Sequence, residues 1–132
     1  QRLQLKSIST RVIDSRGTNL PAGPFDAVLL DVPCSNSGVL GKRPEARWRL
    51  SPEGMPQLLE TQQRLLEQAL ELVRPGGQVL YSTCSIEPEE NEQVVQQVLQ
   101  RVPTAELVQE QLSWPGLPTD GGYLALLRLR AD

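Results

Sequence analysis

Apolar and polar positions alternate along the chain in blocks that predict strands and helices in turn. A short β-branched stretch, Ser7 to Asp14 with Ile8, Val12 and Ile13, predicts a first strand. Gly17, Asn19, Pro21, Gly23 and Pro24 then punctuate a loop. Phe25 to Asp31 follows. Its four consecutive apolar residues, Ala27 to Leu30, predict a strand buried on both faces. Val32 to Leu50 is rich in Pro, Ser, Gly and Arg and reads as a long loop, which in a compact domain is usually functional or disordered. Ser51-Pro52-Glu53 predicts a helix start, with a capping hydroxyl, a first-turn proline and an acidic first turn. The helix should run from about Pro52 to Val73, because Met55, Leu58, Leu59, Leu65, Leu66, Ala69, Leu70 and Val73 share one face. Pro75-Gly76-Gly77 should stop it.

Gln78 to Thr83 predicts the next strand, with Cys84 in the loop directly after it. Glu87, Glu89, Glu90 and Glu92 suit the positive end of a helix running to about Arg101, whose apolar face carries Val94, Val95, Val98, Leu99 and Val102. Ala105 to Gln109 and Gly122 to Arg130 predict closing strands joined by the loop Trp114 to Pro118. Strands alternating with helices indicate an α/β domain with a largely parallel sheet. The last two strands have no helix between them, so they should form an antiparallel hairpin at its end.

Composition narrows the picture. The 132 residues fit one domain, with 13 Lys+Arg against 16 Asp+Glu and a formal net charge of -3. A mildly acidic balance argues against a basic surface over the whole domain, yet leaves room for a local basic patch. No apolar run approaches the ~18 residues of a membrane span, and no charged-then-apolar leader is present. A soluble cytoplasmic protein is the expectation. The chain opens at Gln1 without a methionine, which suggests a cut piece of a longer protein. Two cysteines without CxxC spacing, in a chain with no histidine, make a poor metal site. A disulfide does not suit a reducing cytoplasm. The absence of histidine also removes the usual Cys-His nucleophile pair, so a reactive cysteine needs another source of activation.

In open α/β sheets ligands bind beyond the carboxyl ends of strands. One strand ends in Asp31-Val32-Pro33-Cys34 and another in Thr83-Cys84-Ser85. Neighbouring strands lie about 4.8 Å apart, so Asp31, Cys34 and Cys84 can converge on one pocket. The trio suits methylation of a pyrimidine at C5. A thiolate adds to C6 and makes C5 nucleophilic; the C5 proton must later be removed and the thiolate expelled. A carboxyl group beside N3 and N4 would orient cytosine, and a second thiol could act as base during release. Taken singly, each residue has a plainer reading. An isolated cysteine after a buried strand is ordinarily a small apolar filler, an aspartate at a strand end is commonly a turn cap, and loop arginines are commonly solvated.

The strings around these residues shift that balance. Asp31-Val32-Pro33-Cys34-Ser35-Asn36-Ser37-Gly38 resembles the D-A-P-C-S-G-T-G motif of the Nol/Nop/Sun family of RNA cytosine-C5 methyltransferases, with the bacterial Fmu/Sun ribosomal RNA enzymes the nearest kind. Tyr81-Ser82-Thr83-Cys84-Ser85-Ile86-Glu87-Pro88-Glu89-Glu90-Asn91-Glu92 resembles the family's second cysteine motif almost letter for letter. Asp120-Gly121-Gly122-Tyr123-Leu124-Ala125 resembles its closing D-G-F-F-x-A motif. The strings follow the family's order and cover nearly the whole chain. Val32 replaces the usual Ala, Asn36-Ser37 replaces Gly-Thr, and Gly122 replaces an aromatic. Asn tolerates the backbone freedom of Gly, so little should follow from Asn36. Gly122 changes the expected pocket wall.

The resemblance implies the second half of a Rossmann-like class I methyltransferase sheet, with S-adenosylmethionine (SAM) as donor and RNA as partner, ribosomal RNA before tRNA. It implies Cys84 as the nucleophile on C6, Cys34 as the cysteine assisting release, Asp31 between donor and base, and Asp14 near the adenosine part of the donor. In the DNA cytosine enzymes the Pro-Cys cysteine attacks, and by that logic Cys34 would be the nucleophile. Lys42, Arg43, Arg47 and Arg49 are candidates for phosphate contacts. The family's glycine-rich donor loop, its first strand, the acidic ribose contact and the N-terminal RNA-binding region have no counterpart after Gln1. Residues 1–132 therefore read as a partial catalytic domain, expected to bind SAM weakly or not at all alone. No metal and no membrane partner is expected. A non-catalytic RNA-binding or assembly module on the same fold is the alternative. A two-thiol redox switch is a third reading, testable by thiol titration across redox buffers.

Overall fold

The computed structural model describes residues 6–14, 18–48, 51, 53–116 and 118–131. The chain forms β1 (Phe25–Asp31), α1 (Met55–Leu72), β2 (Val73–Thr83), α2 (Glu92–Arg101), β3 (Ala105–Ser113) and β4 (Gly122–Leu129). Two 3-10 turns, Ser37–Val39 and Pro44–Trp48, break the long loop after β1. The sheet order is β1-β2-β4-β3, with β1 and β2 parallel and the other two pairs antiparallel. The expected hairpin is β3–β4, and α1 is the crossover between the parallel strands.

The core lies between one sheet face and the two helices. Leu66, Ala69 and Leu70 of α1 and Val94, Val95 and Val98 of α2 pack with Val79, Tyr81, Ala125 and Leu127. Period-two alternation places Val79, Tyr81 and Thr83 of β2 on the covered face, as it does Tyr123, Ala125 and Leu127 of β4. The ring edges of Tyr81 and Tyr123 meet with centroids 6.4 Å apart.

Several boundaries differ from the sequence expectation. The helix begins at Met55. Pro56 explains this: in a helix from Pro52 it would sit at an interior position, lacking its N–H and clashing one turn back, whereas here it occupies the first turn. Ser51 Oγ accepts the Gly54 N–H at 3.1 Å and so caps a turn ahead of the helix. Pro52 lies outside the described residues. Pairing of β2 starts at Val73, opposite Phe25, and the regular ladder runs from Ala27↔Gln78 to Asp31↔Ser82. Arg74 to Gly77 therefore bulges out opposite Asp26, with Gly76 at φ 76° and Arg74 Nε donating to Asp26 Oδ1 at 2.7 Å. The final strand ends at Leu129, and β3 extends to Ser113. Its polar Gln109-Glu110-Gln111 run suits an exposed edge strand as well as it suits a loop.

Two expectations fail more plainly. Ser7–Asp14 is not a strand: Ile8, Val12 and Ile13 are exposed, and Asn19 Nδ2 donates to the Val12 carbonyl at 3.1 Å. A strand needs a partner for its ladder, and among the described residues none pairs with this segment. β1 is half-buried on one face only, through Val28 and Leu30, and Leu29 is 71% exposed, because no described element covers its other face. No described helix is long and apolar enough to cross a membrane.

Candidate active site

The parallel register fixes the site. Asp31 pairs with Ser82, and Val32 N–H donates to the Ser82 carbonyl at 3.2 Å, so the two strands deliver their ends side by side. The chain leaving β1 turns back at once, and Cys34 Sγ accepts the backbone N–H of Cys84 at 3.3 Å. Asn36 holds that turn in the left-handed region at φ 61°, with its amide Nδ2 donating to the Cys34 carbonyl at 3.0 Å. This is the position where the motif has glycine, and Asn supplies the same backbone conformation.

The third string closes the arrangement. Gly38 N–H donates to the Cys84 carbonyl at 3.0 Å, and Gly121 N–H donates to the Gly38 carbonyl at 2.8 Å. The three motifs thus meet through backbone bonds. A cleft of roughly 310 Å³ opens between them, lined by Asp31, Cys34, Cys84, Lys42, Arg43 and Asp120 among others. Lys42 Nζ and Asp120 Oδ2 pair across its rim at 2.6 Å. Both cysteines are free thiols and half-buried.

Burial pushes the Cys34 thiol above its ordinary value of 9.0, and the Glu90 carboxylate and a charge on Cys84 push the same way. The N–H groups of Asn36 and Cys84 oppose the rise in part. Cys34 is therefore a thiol at neutral pH, which suits it poorly as the attacking sulfur. Its neutral form stabilises the fold below the unfolded value, and that contribution fades as pH climbs through the raised folded value. Alkylation of Cys34 by iodoacetamide at pH 7 should be slower than that of an unstructured cysteine, and its rate should still climb above pH 9.0. A plateau reached below pH 9.0 contradicts the assignment.

Asp14 does not reach this cleft. Its carboxylate caps a turn, accepting the Thr18 N–H at 2.9 Å and the Thr18 hydroxyl. Arg47 is exposed on the Pro44–Trp48 turn, Lys42 and Arg43 line the cleft, and Arg49 lies outside the described residues. At Gly122 a Cβ would stand 2.7 Å from the Thr83 carbonyl oxygen, so a larger residue would need the backbone to shift.

Sequence reasoning missed the layer beneath the cysteines. Ser35, Ser37, Gln62, Thr83, Ser85, Glu90 and Asn91 are all buried. Ser37 Oγ accepts the Ile86 N–H at 3.0 Å, Thr83 Oγ1 donates to Asn91 Oδ1 at 2.6 Å, and Asn91 Nδ2 donates to the Ser85 carbonyl at 3.0 Å. Glu90 is not a solvated first-turn acid: it is fully buried, and its carboxylate accepts three hydrogen bonds. The only signal was the string itself, since polar residues in a polar stretch leave no periodicity to read.

Comparison with known proteins agrees with this geometry. The family described as 16S rRNA methyltransferase RsmB/F matches residues 1–121. The Ribosomal RNA small subunit methyltransferase B of Vibrio cholerae is 39% identical over 110 residues, 78% of this chain and 25% of that protein. Putative methyltransferase Rv1407 of Mycobacterium tuberculosis is 47% identical over 91 residues, 69% of this chain and 20% of that protein. The crystal structure of NSun6 from Pyrococcus horikoshii with SFG superposes at a TM-score of 0.81 and 26% identity, covering 99% of this chain and 37% of that one. The crystal structure of PH0851 gives 0.73 at 42% identity, covering 77% of this chain and 26% of that one. The chain thus spans about a quarter of the length of the curated relatives it matches. With its three cleft-forming strings and this sheet, the chain belongs to the 16S rRNA methyltransferase RsmB/F family.

Proposed function

We propose that an enzyme carrying this chain at its relatives' full length transfers a methyl group from SAM to C5 of a cytosine in ribosomal RNA, with Cys84 as the covalent nucleophile. The observation that carries the reading is the meeting of two thiols and a carboxylate at one cleft, with Cys34 Sγ held on the Cys84 backbone N–H. Asp31, exposed at the end of β1, fits the positive end of such a donor. Asp14 is engaged by Thr18 and offers the adenosine side less. When bound, SAM supplies an electrophilic methyl group.

The chain's own residues supply the rest. Cys84 Sγ, as thiolate, bonds to C6 and places its electron pair in the ring, so that C5 becomes nucleophilic. Asp31 orients the base by accepting a hydrogen bond from its N4 amino group. After methyl transfer C5 carries both a methyl group and a proton. Removal of that proton re-forms the C5–C6 double bond and returns the sulfur's electron pair to Cys84. Cys34 is the base for this step. To act as base, Cys34 first gives its thiol proton to solvent; bonding of Cys84 to carbon removes the smallest of the influences opposing that loss, while burial, the largest, remains. Lys42 and Arg43 at the rim suit phosphate contacts.

A full-length enzyme given ribosomal RNA and methyl-labelled SAM should yield 5-methylcytosine on nuclease digestion. Label on another position or base contradicts the reading. RNA binding without transfer supports the binding-module alternative.

A further inference from the structure

Glu90 sits in the turn that leads into α2, outside the cleft, and is fully buried. Its two carboxylate oxygens face different loops. Oε1 accepts the backbone N–H of Ser35, the residue after Cys34, at 2.8 Å. Oε2 accepts the hydroxyl of Ser85, the residue after Cys84, at 2.6 Å. Gln62, from the middle of α1, donates through Nε2 both to Glu90 Oε1 and to the Pro33 carbonyl, each at 2.9 Å. The peptide group after Cys34 is thus tied directly to the carboxylate that ties Ser85, and the one before it is tied to that carboxylate through Gln62.

Ser85 adds a second tie, since Ser35 Oγ donates to Ser85 Oγ at 3.1 Å. The backbone that carries this side chain is anchored as well, because Tyr81 on β2 donates its hydroxyl to the Glu90 main-chain carbonyl at 2.7 Å. We infer that Glu90 is a positioning residue whose side-chain length sets the gap between the Cys34 and Cys84 thiols. It touches neither thiol in the cleft; it acts through the residue that follows each one. The inference concerns the spacing of two sulfurs and holds whatever those sulfurs do. Its test needs neither RNA nor methyl donor, so its failure and the failure of the methyltransferase reading are separate results.

Two variants separate the length of this side chain from its charge. Glu90→Gln keeps the reach and drops the charge, whereas Glu90→Asp keeps the charge and loses one methylene. A shortened side chain can serve one loop but cannot span both. The readout is bridging of the two thiols by dibromobimane, which fluoresces once it joins a pair. Its second alkylation is intramolecular and depends steeply on distance and alignment. Single-site alkylation and the thermal melt are followed in parallel. Glu90→Gln should bridge within about twofold of wild type, and Glu90→Asp should fall by about tenfold while still melting cooperatively. Bridging by Glu90→Asp at the wild-type rate, or an equal fall in both variants, would overturn the inference. So would a Glu90→Asp protein that loses its cooperative melt together with its bridging, since Glu90 would then be a residue of the fold rather than of the spacing.

Discussion

In a full-length enzyme, Cys84→Ala should lower methyl transfer by about 10⁴-fold or more, because removing a covalent nucleophile removes the pathway itself. Alanine keeps the backbone N–H that Cys34 Sγ accepts and the carbonyl that Gly38 N–H reaches. The loops should therefore stay in place and the melting temperature should move little. The cost falls on chemistry: C5 of cytosine is too weak a nucleophile without addition at C6. Cys34 is a poor substitute, since burial holds it as a neutral thiol. A loss under tenfold in steady-state assays of the purified variant would show that attack does not run through Cys84.

Gly38→Ala should damage the same site through the backbone. A Cβ at Gly38 would stand 2.5 Å from the Gly121 carbonyl oxygen, 2.6 Å from its carbon and 2.9 Å from the Cys84 carbonyl oxygen. All three are main-chain atoms, so no side chain can turn aside to relieve the contact. Separating them also strains the bonds from Gly38 N–H to Cys84 and from Gly121 N–H to Gly38. Overpacking together with two weakened hydrogen bonds should cost about 3 kcal/mol, or roughly 10 °C in melting temperature for a domain of this size. Gly41 is the control, with nothing within 4 Å of its Cβ position, and Gly41→Ala should fall within about 0.5 kcal/mol of wild type. Thermal melts of the two variants side by side decide the point. Equal stability would mean that the three strings are not locked together there.

The sequence exposed the parts of the fold that follow from local pattern. The apolar run before Asp31, the leucine face of α1 and the valine face of α2 each appear as elements close to where periodicity put them. Boundaries moved where one residue overruled the pattern, as Pro56 did at the start of α1. Ser7–Asp14 misled because β-branched residues signal suitability for a strand, while a strand exists only with a partner. The clefted trio Asp31, Cys34 and Cys84 was legible, since strand ends in a parallel pair converge whatever their separation along the chain. Asp14 caps a turn through Thr18, and the strand expected to carry it does not form among the described residues. Glu90 was misread because an acid before a helix has two physical uses, and only the fold shows this one turned inward to three donors. The close approach of Gly38 to Gly121 is likewise invisible until the loops are folded.

The most direct measurement of the central claim is the attachment point of RNA on the protein. In a full-length Cys34→Ala enzyme, release should stall after methyl transfer and a covalent RNA adduct should accumulate, because Cys84 is still able to attack and no base removes the C5 proton. Digestion of that adduct and peptide mass spectrometry should place the nucleotide on the peptide containing Cys84. An adduct that persists in Cys84→Ala and maps to Cys34 would contradict the account.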